Sequence, residues 1–350
     1  MLGLWFIAPV RAQLYSVTDL GTLGGTFSNA NGINSSGVVV GRASVSVPVY
    51  HAFSYSGGVM TDLGTLGGTH SLANAINDSG VIVGLSSTTG VSPSHAFSYS
   101  GGVMTDLGTL GGSTSTATNI NSSGTIVGSS FLTGDAATHA FSYSGGLMTD
   151  LGTLGGTHSQ ANAINNSGVI AGYSYTASDT FVHAFSYSGG VMTDLGTLGG
   201  SNIIASAINP SGVIVGNSLL TGDTATHAFS YSGGLMTDLG TLGGTISSAF
   251  AINSAGAIAG MAYLAGDTTE DAFLYSGGVM VDLNSVLDGS GAGWSLTAAA
   301  GINDNGQIVG FGTIGGHQHA FLLTPEPSAC ALLVGGLGLL TCAIRRRNLR

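Results

Sequence analysis

The sequence predicts an all-β fold: a seven-bladed β-propeller of four-stranded blades, closed by an N-terminal strand that joins the last blade and followed by a C-terminal transmembrane helix. Three observations predict it. A block beginning HAFSYSGGVMTDLGTLGG recurs, placing His51, His95, His139, His183 and His227 at intervals of 44 residues, with Asp271 on the next interval. Each block carries signals for four short strands, the size of one propeller blade. The repeats also start on a lone fourth-type strand, Tyr15 to Leu20, and end on a third-type strand, His319 to Leu323. Pairing these fragments makes a seventh blade whole and removes an exposed sheet edge, a need that an open solenoid does not have.

Residues 72–108 illustrate one unit. Ala73-Asn74-Ala75-Ile76 reads as a first strand, and Asn77-Asp78-Ser79-Gly80 as a turn with a glycine free to take positive φ. Val81 to Gly84 is the second strand, and a variable loop from Ser86 to Ser94 leads to the third, His95 to Tyr99. Gly101-Gly102 is a two-residue hairpin turn, because both positions tolerate left-handed angles. Val103 to Leu107 forms the fourth strand, and Gly108-Thr109-Leu110-Gly111-Gly112 crosses to the next unit. The Ile-Asn turn occurs seven times, from Ile33-Asn34 to Ile302-Asn303.

Composition narrows the function. Charged residues make up 7% of the chain, against roughly 25% in ordinary globular proteins. There is no lysine, and Arg42 is the only cation in the repeat region, facing sixteen acids from Asp19 to Asp304. Phosphate neutralisation needs Lys or Arg, so nucleic acid is excluded as a partner. The two cysteines, Cys330 and Cys342, lie in the C-terminal apolar segment, which rules out a disulfide framework or a cysteine-based zinc site in the repeats. The segment LGTLGGT lacks the lysine of a phosphate loop.

The two ends read as addresses. Residues 1–12 have the apolar run and small-residue cleavage pattern (Val10-Arg11-Ala12 before Gln13) of a signal peptide, truncated because the positive n-region is missing. Pro325-Glu326-Pro327 precedes an apolar run from Ala329 to Ile344 and then the basic tail RRRNLR. That run is long enough for a short membrane-spanning helix, and the arginines place its end in the cytoplasm. Residues 325–350 resemble the PEP-CTERM sorting signal of Gram-negative bacteria. The resemblance implies processing by an exosortase and transient anchoring in the inner membrane before release to the outer surface or extracellular matrix. A plain membrane anchor is the alternative. Residues 15–324 resemble the extracellular HAF-repeat family in HAF, MTDLGTLGG and the Ile-Asn turn, although Phe-Ser-Tyr stands where that family has Phe-Leu-Trp. That likeness implies a propeller outside the cell with no assigned reaction.

Two constellations are candidates for chemistry. Around the glycine turn, residue 97 pairs with 106, so His95 and Asp106 share a sheet face and fall within hydrogen-bonding reach. The same placement holds for His51 with Asp62, His139 with Asp150, His183 with Asp194, His227 with Asp238, and His319 with Asp19. A polar clamp inside each blade is the plainer reading; an oriented imidazole acting as base or ligand is the alternative. In the sixth unit Asp271 faces Asp282, with Glu270 beside them. Asp135, Asp179, Asp223 and Asp267 recur in the variable loops, either as turn formers or as a partial ring of carboxylates for Ca²⁺, which takes six to eight oxygen ligands. No other cofactor is expected.

The expected function is that of an exported repeat protein of the bacterial envelope, non-enzymatic, binding exopolysaccharide or matrix. A structural coat or spacer without a discrete ligand is one alternative. A propeller glycosidase or lyase is another, and it would need two carboxylates about 5–10 Å apart in a cleft.

Overall fold

The computed structural model describes residues 13–327. The signal peptide and the C-terminal transmembrane helix expected from the sequence lie outside the described residues. Among the described residues no helix is long and apolar enough to cross a membrane.

Twenty-eight strands form seven four-stranded antiparallel units in a propeller-like arrangement. Units one to six occupy residues 28–62, 71–106, 111–150, 155–194, 199–238 and 243–282. The seventh combines Trp294–Ile302, Ile308–Ile314 and His317–Pro325 with Tyr15–Asp19 as its outermost strand. The first strand of every unit packs against the first strand of the next, and Trp294–Ile302 packs in turn against Ser28–Ile33.

Unit three shows why the sequence folds this way. Its strands are Gly111–Ile120, Ile126–Leu132, Thr138–Ser144 and Leu147–Asp150. The last two meet at Gly145-Gly146, with φ of 59° and 86°, the left-handed pair of a type I′ hairpin turn. Ala140 and Phe141 are fully buried, whereas Leu147, just past the turn, is exposed. The first strand is longer than the sequence predicts. In units three to six it begins in the Gly-Gly of the crossover, because the second strand runs on and pairs there, as Gly111 does with Leu132.

The core lies between units rather than within them. Phe141 shares an apolar cluster with Ala75, Val83, Ala96 and Leu107 of the preceding unit. There are seven such clusters, and the one at the meeting of the ends joins Val309 and Ala320 to Leu20, Ala30, Val39 and Phe53. Phe53, Phe97, Phe141, Phe185, Phe229, Phe273 and Phe321 are all fully buried, each burial contributing about 2–3 kcal/mol. Serines fasten the same junctions. Ser115 Oγ accepts from Ala96 N–H at 2.8 Å and donates to Gly108 O, and Ser71, Ser159, Ser247 and Ser28 make equivalent bonds.

Candidate functional site

Strand alternation and the glycine turn position the His–Asp pairs. Phe97 lies directly opposite Asp106, and His95, two residues before Phe97, shares that face. In all six pairs Nδ1 lies 2.6–2.9 Å from the nearer carboxylate oxygen. The same aspartates accept a backbone N–H from the glycine two residues on, at 2.7–2.8 Å. A carboxylate only accepts, so Nδ1 carries a proton, and in the neutral imidazole Nε2 is left as an acceptor. The aspartates are the more open partners, 37–43% exposed against 18–24% for the histidines. Each pair therefore presents polar atoms at the surface rather than inside a sealed blade.

The seventh position differs. Asp271 is buried and faces Asp282, which instead caps a short 3-10 turn by accepting from Asn284 N–H. Burial first, and then the charge of Asp282, push the Asp271 carboxyl above its ordinary value of 3.8, while the Asn284 side chain partly offsets this. A raised folded-state value means that the protonated form stabilises below the unfolded value and that this contribution is lost as pH rises through the folded one. Asp271→Asn is accordingly expected to match wild type below pH 3.8 and to be the more stable of the two near neutrality. Thermal unfolding scans across pH check this, and parallel curves for the two proteins would refute it.

The loop aspartates tie each variable loop to a crossover. Asp135, Asp179, Asp223 and Asp267 sit at φ of 52–56°, a left-handed conformation tolerated by Asp. Each Oδ1 accepts a backbone N–H from the crossover 22 residues earlier: Ser113, Thr157, Ser201 and Thr245, at 2.7–2.8 Å. They are latches between loop and crossover. Among the described residues no three His, Cys, Asp or Glu side chains gather where they could hold a metal ion. Hydrogen bonds from Thr245 N–H and Oγ hold the Asp267 carboxyl below its ordinary range. These latches and the His–Asp pairs lie at one end of the assembly, with the variable loops and crossovers; the Ile-Asn and Gly-Gly turns lie at the other.

No protein-family model and no curated protein matches this chain.

Other polar residues and the Pro-Glu-Pro motif have plain structural surroundings. Arg42 lies over Phe27 and Tyr50, 5.2 and 5.1 Å from the ring centres, so the sole cation of the described residues is engaged. His70 packs at 4.3 Å on Tyr50 and bonds Pro48 O. Pro325 pairs with Tyr15, and Glu326 N–H donates to Leu14 O, so the Pro-Glu-Pro motif begins on the last sheet rather than after it.

Sequence reasoning missed the asparagine of the Ile-Asn turn as more than a turn former. Asn34, Asn77, Asn121, Asn165, Asn209, Asn253 and Asn303 are buried, and each Nδ2 donates to the backbone carbonyl of the next, at 3.0–3.4 Å, with Asn303 returning to Asn34. Seven isoleucines just before them line a cavity of about 250 Å³ whose rim includes Asp78 and Asp304. Those two carboxylates are taken by Ser35 and Ser254 N–H. The one clue was that all seven turns use Asn at this place, where a lone turn would accept Ser or Asp equally well.

Proposed function

We propose that this chain is an exported envelope protein, a closed seven-bladed β-propeller of HAF repeats, that binds extracellular polysaccharide or matrix by repeated weak contacts and without catalysis. Ring closure is supported by the cyclic Asn hydrogen bonds and by a seventh apolar junction built like the other six. Export is supported by the leader-like residues 1–12 and by Pro325-Glu326-Pro327 with its apolar run and arginines. In this reading an exosortase-type enzyme is a partner, and the C-terminal helix holds the chain in the inner membrane of a Gram-negative cell until processing.

The observation that carries the binding reading is the sixfold repetition of half-open His–Asp pairs at the loop-bearing end. Carboxylate and imidazole acceptors suit hydroxyl donors, and the near absence of cations disfavours anionic polymers. Six equivalent weak sites combine into avidity when one polymer spans them. A coat or spacer is the second reading, favoured by the exposed Val59, Val103, Leu147, Val191, Leu235 and Val279 on successive outer strands.

Binding of the full chain to immobilised exopolysaccharide separates these readings. His95→Ala alone is expected to weaken retention by less than about threefold, and changing His95, His139 and His183 together by more than tenfold. Complete loss from the single change points to an enzyme-like unique site. No effect from the triple change points to a coat.

A further inference from the structure

The junction between units four and five departs from the others in several ways at once. Units three and four, and units five and six, are linked by single parallel bridges, Thr138 to His158 and Thr226 to Ile246. Between Val182–Ser188 and Gly199–Ile208, as at the other four junctions, no such bridge forms. Asn202 stands there instead, and its Oδ1 accepts Val182 N–H at 2.8 Å. Ile203 replaces the junction serine and is buried. Phe181 stands where the neighbouring loops have Ala137, Ala225 and Thr269, and it is 45% exposed.

Of these, Phe181 lines an open cavity of about 520 Å³ together with His183, Gly199, Gly200, Ser201 and Asp223, within the usual range for small-ligand sites of roughly 300–1,000 Å³. Its chemistry is directional. Phe181 supplies one aromatic face, and Asn202 anchors the residue beside it. His183 Nδ1 is bound to Asp194 at 2.6 Å, which leaves Nε2 as an acceptor. Asp223 Oδ1 takes Ser201 N–H at 2.8 Å, and its second oxygen has no protein partner among the described residues. In unit six the equivalent oxygen of Asp267 is occupied by Thr245 Oγ. Gly199 and Gly200 give a floor without side chains.

We infer that this groove is a saccharide subsite, in which the C–H face of a neutral pyranose stacks on Phe181 while its hydroxyls donate to His183 Nε2 and Asp223 Oδ2. The assignment rests on the polysaccharide-binding reading and narrows it to one junction. A charged sugar is not accommodated, because the described residues offer no cation there and the sole one, Arg42, lies in unit one.

The test is calorimetric titration of the full chain with soluble cellohexaose, laminarihexaose and mannohexaose, and with oligogalacturonate as the charged probe. Wild type binds at least one neutral probe. Phe181→Ala and Phe181→Leu each weaken it about tenfold, the loss of one good aromatic contact. Asp223→Asn, which keeps an acceptor for Ser201 N–H, weakens it similarly, and Asp267→Asn leaves it unchanged. Unfolding temperatures of the Phe181 variants stay at the wild-type value, since the ring is exposed. Neutral-probe binding that survives both Phe181 variants overturns the subsite while leaving the broader reading intact. Binding of oligogalacturonate alone, or of no probe, overturns both.

Discussion

Replacing Gly172 by alanine is expected to destabilise the protein by about 3 kcal/mol or more, among the largest effects of any single methyl group in the chain. Gly172 pairs with Ala161 on one side and Phe185 on the other. The register shift between Ala161 and Ala163 bows the first strand towards it. A β-carbon here would collide with Gln160 O and lie 2.9 Å from both Ala161 Cα and the Phe185 ring. Backbone atoms and a fully buried ring cannot step aside cheaply. Gly146→Ala provides the contrast. Its φ of 86° strains an alanine but the space around it is open, so its cost should be only about 1–2 kcal/mol. Urea midpoints of the two variants measure the difference, and equal midpoints would show that conformation, not crowding, sets the requirement.

Asn165→Ala is expected to cost about 3 kcal/mol. The side chain accepts Ser167 and Val169 N–H at 3.1 and 3.0 Å and donates to Asn209 O at 3.4 Å. Truncation strands two turn amides and one carbonyl in a buried place, each at about 1–3 kcal/mol before relaxation. Asn165→Asp distinguishes the parts. It keeps both acceptances but loses the donation and buries a charge beside a carbonyl. Its folded-state carboxyl is held protonated, so the variant should be near wild type below the ordinary carboxylate range and lose stability as pH rises through its raised value. Denaturation at about pH 3 and pH 7 reads this out; a deficit independent of pH would place the burden on the turn alone.

Much of this could be read from periodicity. The 44-residue interval, the strand alternation and the double glycine together put Phe97 opposite Asp106 and His95 beside it. Those are local facts, fixed by a short hairpin. What escaped depends on partners that the hairpin does not contain. Asp135 reaches the N–H of Ser113 across a whole intervening second strand, and in sequence it is simply an acid in a loop. The Asn ring is further removed, because each amide finds its acceptor 43 to 50 residues away and the last finds it 269 residues back. Phe181 was passed over for a similar reason. An aromatic in a variable loop acquires meaning only when the neighbouring unit brings Asp223 to it.

The strand Tyr15–Asp19 has a temporal consequence. Its partner, His317–Pro325, is made some 300 residues later, as the His319–Asp19 hydrogen bond records. During synthesis the six earlier units can stack in order, but the final seam waits for the last repeat to emerge. Until then the opening strand is an unpaired edge that any other chain could capture. Non-local closure of this kind is slow to form, and once made it must be undone before unravelling can start from either end. A chain built of near-copies thus acquires a single start and a single finish, and its durability is set by how rarely that seam reopens.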